Sequence, residues 1–163
     1  MAQTEKKIEW CLKKANKEGR KHKGLRIVEP NKAKVQEHLE KARRNLRLIV
    51  HLLRIRYADW AVSAVFYSMY HCSLAILWKY GYESRNQACT FAVIEKLIAE
   101  EKIGITIDEL GNIQESSNDD GETVVDLREY YQYGTETQVE KGKVILLQQQ
   151  AKEFVAKVSA LLE

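Results

Sequence analysis

The stretch Asp59–Tyr82, DWAVSAVFYSMYHCSLAILWKYGY, narrows the possible folds more than any other part of the chain. Its only charged residues are Asp59 and Lys79. A helix of about six turns that is apolar on nearly every side must be covered on nearly every side, which makes it the central strut of a helical assembly. The run is long enough to cross a bilayer, but Tyr67, Tyr70 and His71 would be costly in hydrocarbon, so the expectation is a buried core helix and no membrane. Their polar atoms must find partners once water is excluded. Gly81 is suited to the left-handed conformation that ends a helix.

At 163 residues the chain fits one domain able to bury about two-thirds of the surface its unfolded form exposes. The apolar fraction of 45% and the charged fraction of 30% are those of an ordinary globular protein. The N-terminus, MAQTEKKIEW, has no apolar stretch of signal-peptide length, and the expected location is the cytoplasm. Three cysteines, Cys11, Cys72 and Cys89, cannot all pair within one chain and match no zinc spacing. The expectation is reduced thiols, no metal and no cofactor.

Charge is unevenly distributed. Residues 1–56 hold 17 Lys and Arg against 6 Asp and Glu, whereas residues 57–163 hold 9 against 17. The basic part can track phosphates or an acidic partner, or it can fold against the acidic half of its own chain.

Periodicity predicts a helix over 4–18 with Ile8, Cys11, Leu12 and Ala15 on one face and Thr4 as cap. A basic connector, Gly19–Pro30, follows. A long helix then runs from the cap Asn31 to about Arg56, with Arg43, Arg44 and Arg47 beside its apolar stripe. Further helices are expected from Arg85 to about Lys102, closed by Gly104, from Glu122 to Tyr133, and from Glu136 to Leu162. A short turn falls at Asp108–Leu110, and Asn118–Gly121 reads as a mobile loop. Asp119, Asp120 and Glu122 are too few for a calcium site. No strand pattern of useful length is present. The fold class is therefore all-α, an antiparallel up-and-down bundle of five or six helices, with residues 1–30 as a basic helical extension and 31–163 as the bundle.

The segments LEKARRNLRLIVHLLRIRYADWAVSAVFYSMYHCSLAIL, GYESRNQACTFAVIEKLI and LREYYQYGTETQVEKGKVILLQQQAKEFVAKVSALL, taken in order, resemble the HEPN domain family. The likeness covers about residues 32–163 and is nearest to stand-alone prokaryotic members. It implies a dimeric helical bundle in a family that includes metal-independent ribonucleases. Active members carry an arginine, commonly followed by a polar residue, and a histidine four to six residues later, brought together across a cleft between subunits. The resemblance also implies a possible partner, a minimal nucleotidyltransferase, as in toxin and antitoxin pairs.

The corresponding stretch here is Arg128, Glu129, Tyr130, Tyr131, Gln132, Tyr133, with Tyr133 where the histidine would stand. Cleavage through the ribose 2′-hydroxyl needs a group that moves protons near neutrality. A tyrosine of pKa about 10 is a weak base there. Arg128 can still hold a phosphate bidentately, and Tyr133 can donate a hydrogen bond to it. Binding of RNA or a nucleotide thus survives the substitution more easily than catalysis.

His71, four residues from Tyr67 on one helical face, is either a satisfied core histidine or a substitute base. Arg85 and Asn86 form a second arginine and polar pair, at a helix start where capping and ion pairing also account for them. Tyr130, Tyr131 and Tyr133 suit a homodimer interface or stacking on unpaired bases. No phosphate-cradling glycine loop or nucleophile elbow occurs.

Overall fold

The computed structural model describes residues 2–114 and 123–163. The expected loop at Asn118–Gly121 and the acidic residues Asp119, Asp120 and Glu122 lie outside them. The described chain is mostly helical. Among the described residues are seven α-helices, α1 (Ala2–Glu18), α2 (Lys32–Arg54), α3 (Ala58–Lys79), α4 (Gln87–Ala99), α5 (Ile107–Gly111), α6 (Val124–Tyr133) and α7 (Lys141–Leu162), against the five or six expected. The addition is α5, which Thr106 and Glu109 hold by a reciprocal cap: Thr106 N–H donates to Glu109 Oε2 at 2.8 Å and Glu109 N–H to Thr106 Oγ1 at 3.1 Å.

Two short strands, β1 (Leu25–Ile27) and β2 (Tyr82–Ser84), pair antiparallel with Leu25 opposite Ser84 and Ile27 opposite Tyr82. They correct the expectation of a chain without strands, because three-residue strands are too short to alternate legibly. They also move the start of α4. Residues 82–84 are taken up in the ladder, so the helix begins at Gln87, with Asn86 Oδ1 accepting from Cys89 N–H at 3.1 Å. Its end falls at Ala99, well before Gly104. Glu101 takes a positive φ of 54° and Lys102 N–H bonds back to Leu97 O at 2.9 Å.

The chain divides into two compact units. The first contains residues 1–38 and 73–110. Its N-terminal helix begins at Ala2, two residues before the expected cap. Thr4 is instead buried inside the first turn, and its hydroxyl donates to Glu95 Oε1 at 2.5 Å. The buried face of α1, Ile8, Cys11 and Ala15, packs on α4, and Cys11 and Cys89 are joined by a disulfide with Cα atoms 5.9 Å apart. This corrects the expectation of three reduced thiols. The two cysteines are 78 residues apart in sequence, and only the packing of α1 on α4 brings them together.

Gly24 is required by the same contact: a Cβ there would lie 2.5 Å from Cys11 O and 2.8 Å from Ala15 N. Beside it His22 is fully buried, with Nδ1 accepting from Gly24 N–H at 3.2 Å and Nε2 3.2 Å from Glu83 Oε1. At the end of α3, Gly81 takes φ +83° as expected, and its carbonyl accepts from Val28 N–H at 2.9 Å.

The second unit contains residues 39–72 and 111–161. Its core is Leu39, Ala42 and Ile49 of α2, the run Ala61–Phe66 with Met69 and Cys72 of α3, Val124, Val125 and Leu127 of α6, and Val144, Leu147, Ala151, Phe154, Val155 and Val158 of α7. In α3, an apolar 18-residue window is 72% buried inside the fold, the burial of a core helix. The turn between α2 and α3 has neither glycine nor proline. Arg56 takes φ 66°, with Tyr57 N–H donating to Leu52 O and Arg56 N–H to Leu53 O, so a Schellman ending is built on arginine. Helix α7 starts at Lys141, five residues later than expected. The intervening TETQVE segment is rich in β-branched residues that weaken helix formation.

Candidate interaction site

The candidate arginine and tyrosines all lie on α6. Thr123 starts this helix, its Oγ1 accepting from Asp126 N–H at 3.2 Å, and Asp126 places a negative charge in the first turn where the helix dipole favours it. Asn112 O and Ile113 O accept from Val124 and Val125 N–H at 3.0 Å each, tying the entry of the helix to the preceding segment. At the other end Gly134 N–H bonds to Tyr130 O at 3.1 Å, and a Cβ on Gly134 would lie only 2.6 Å from that oxygen.

Arg128 belongs to the inner face of α6 and is only 8% exposed. Its guanidinium lies over the Phe66 ring at 4.4 Å from the centroid and 6.0 Å from that of Tyr67, both on α3. Nη1 donates to Gln132 Oε1 one turn on, at 2.9 Å, and Glu129 Oε1 is 4.0 Å from Nη2. The arginine is therefore held over an aromatic shelf, where a desolvated cation above a ring is worth about 2 kcal/mol.

Tyr133 is five residues on, about 140° around a helix of 3.6 residues per turn, and points away from the arginine. It is 74% exposed and Tyr130 is 60% exposed. Tyr130 and Tyr131 meet edge to face at 4.9 Å, and burial, followed by the neighbouring Tyr130, Glu136 and Glu140, raises the Tyr131 hydroxyl above its ordinary pKa. In one chain, then, Arg128 faces inward while Tyr130 and Tyr133 face solvent.

His71 is half-buried on α3. Its ring meets Tyr70 edge to face at 6.4 Å, and Tyr70 stacks on Phe66 at 5.4 Å. It is linked to the Arg128 shelf through two rings. Arg85 and Asn86 belong to the other unit. Arg85 Nε pairs with Glu83 at 3.0 Å and Nη1 donates to Arg20 O at 3.0 Å, while Asn86 caps α4 and its Nδ2 donates to Lys23 O.

Two features have no counterpart in the sequence reading. One is the depth of Arg128, for which the nearest sequence signal is its place on the same stripe as Val124 and Val125. The other is His22, whose burial the basic connector around it conceals. Among the described residues no group of three or more His, Cys, Asp or Glu is placed to hold a metal ion. What the fold defines directly is a mostly helical protein with an aromatic shelf on α3 and a tyrosine-bearing face on α6. No protein-family model matches the chain, and no curated protein matches it.

Proposed function

We propose that this chain is a HEPN-like binding module that works as a homodimer, takes RNA or a nucleotide as ligand, and does not cleave RNA. A minimal nucleotidyltransferase, as in a toxin and antitoxin pair, is the proposed protein partner.

The observation that carries this reading is the division of labour on α6. Arg128 is withdrawn from solvent onto Phe66, while Tyr130 and Tyr133 stand exposed on the other side of the helix. A ribonuclease cleft needs its cation at the scissile phosphate and a group that moves protons within hydrogen-bond reach. An arginine buried on a phenyl ring and a tyrosine on the opposite side of the helix supply neither within one chain.

The proposed dimer is supported by where apolar side chains remain uncovered. Of the fourteen large hydrophobic residues exposed among the described ones, eleven belong to the second unit, including Leu48, Ile55, Trp60, Tyr67, Tyr130 and Tyr133. Leu48 is exposed on α2, with Ile55 just past the end of that helix and seven residues on, and Trp60 and Tyr67 share a face of α3 two turns apart. Exposed aromatic and aliphatic side chains in such stripes are what a subunit contact covers. The cytoplasmic location is likewise a proposal, and the Cys11–Cys89 disulfide weighs against it, since cytosolic disulfides are rare.

The test is incubation of the purified protein with labelled single-stranded RNA in EDTA, beside Tyr133→Phe and Arg128→Lys. No cleavage above background by any of the three is expected. Cleavage by the unaltered protein that Tyr133→Phe abolishes would overturn the non-catalytic reading in favour of a working ribonuclease.

A further inference from the structure

The outer face of α1 is a basic surface organised around one tryptophan. Every lysine of this helix, Lys6, Lys7, Lys13, Lys14 and Lys17, stands four or three residues before Trp10, or three, four or seven after it, and so shares its face. Trp10 is 49% exposed. Lys7 Nζ lies 4.2 Å and Lys14 Nζ 5.6 Å from the centroid of its ring. The tryptophan borders an open depression of about 520 Å³, lined also by Lys13, Lys14, Lys17 and Glu18. The following turn adds Arg20, Lys21 and Lys23.

Two acidic residues temper the patch. Glu9 pairs with Lys13 at 2.7 Å and Glu18 with Lys14 at 3.4 Å. The Glu18 carboxyl is held below its usual range chiefly by the Lys23 backbone N–H. Among the described residues Lys6, Lys7 and Lys17 form no ion pair.

A lipid surface is a poor fit. A membrane-binding amphipathic helix must insert its apolar face, and here that face, Ile8, Cys11 and Ala15, is buried and fixed to α4 by the disulfide. What remains outward is cations about one helical turn apart, 5.4 Å, around a planar indole. Those are the two elements that bind single strands: point charges tracking a phosphate backbone and an aromatic face on which a base stacks.

We infer that the Trp10 face of α1 is a binding surface for single-stranded nucleic acid, with Trp10 stacking on a base and Lys6, Lys7, Lys13, Lys14 and Lys17 engaging phosphates. The surface lies in the first unit, whereas Arg128 belongs to the second.

Fluorescence anisotropy with short labelled oligouridylate and oligothymidylate tests it on the disulfide-bonded chain of 163 residues. Trp10→Ala is expected to weaken binding by about 5- to 150-fold. Lys7→Ala with Lys17→Ala is expected to make the slope of log K against log salt shallower by about 1.4, at about 0.7 per phosphate contact on a single strand. Glu18→Gln, which removes the anion from the depression, is expected to tighten binding. Arg128→Lys and Tyr133→Phe report separately on the candidate α6 site: a loss of affinity in these variants that Trp10→Ala does not share would place the oligonucleotide on α6 and overturn the proposal. All the altered α1 side chains lie on its outer face, and circular dichroism checks that each variant keeps its helices. Unchanged affinity in Trp10→Ala, or displacement of the oligonucleotides by a polyglutamate peptide as readily as by unlabelled oligonucleotide, would overturn the proposal. The second result would identify an acidic protein segment as the occupant.

Discussion

Cutting the Cys11–Cys89 cross-link should cost this protein a large part of its stability while leaving the native packing of α1 in place. Both cysteines are fully buried, and the buried residues on the same helical faces, Ile8 and Ala15 on α1 and Ala92 and Val93 on α4, keep their apolar burial without the S–S bond. The bond acts mainly on the unfolded chain by closing a loop across a sequence separation of 78. On the loop-entropy relation that closure is worth about 4.5 kcal/mol, near the upper end of what disulfides deliver. Urea unfolding followed by circular dichroism should therefore show a lower midpoint for the Cys11→Ala, Cys89→Ala double variant than for the oxidised protein. The fitted m-value should be larger in the variant, because an uncross-linked chain exposes more surface on unfolding. Alkylation in denaturant without reductant should label Cys72 alone. Labelling of all three cysteines, or coincident urea midpoints for the oxidised protein and the double variant, would refute the reasoning.

Three further outcomes follow from single positions. Gly24→Ala should destabilise the protein by about 1–3 kcal/mol in the same urea assay, because its Cβ would press on Cys11 O and Ala15 N in a well-packed contact. Arg56→Gly and Glu101→Gly should each raise the urea midpoint. Left-handed backbone costs a side-chain-bearing residue about 1–2 kcal/mol, part of which the greater freedom of glycine in the unfolded chain offsets. Burial pushes the Cys72 thiol up from 9.0 to about 12, against a smaller opposing pull from Arg43. The unfolded chain therefore loses this proton first as pH rises. The contribution is intact below about pH 9 and declines toward pH 12 by up to about 1.4 kcal/mol per pH unit. Unfolding measured at several pH values should show this decline in the unaltered protein in excess of that in Cys72→Ala.

The parts of the fold that were legible in the sequence are those governed by local chemistry. The apolar run of α3, the Asn31 cap, whose Oδ1 accepts from Lys34 N–H at 3.1 Å, and the left-handed Gly81 each follow from residues within a few turns of one another. The β1–β2 ladder, the disulfide and the burial of His22 depend on segments roughly sixty to eighty residues apart, and no short-range pattern announces them. At the candidate site the sequence singles out Arg128 and the tyrosines by type. It does not indicate that Arg128 turns inward, because an arginine on an amphipathic helix reads as surface unless the ring it will cover is known. Here that ring is Phe66, contributed by a helix about sixty residues earlier.

Sedimentation equilibrium of the oxidised protein at tens of micromolar tests most directly the proposal that the exposed side chains of α2, α3 and α6 are covered by a second copy. A mass twice the 18.9 kDa of one chain is expected, falling to that of one chain when Trp60→Glu and Tyr133→Glu are combined. A single species at 18.9 kDa for the unaltered protein across that range would contradict the account.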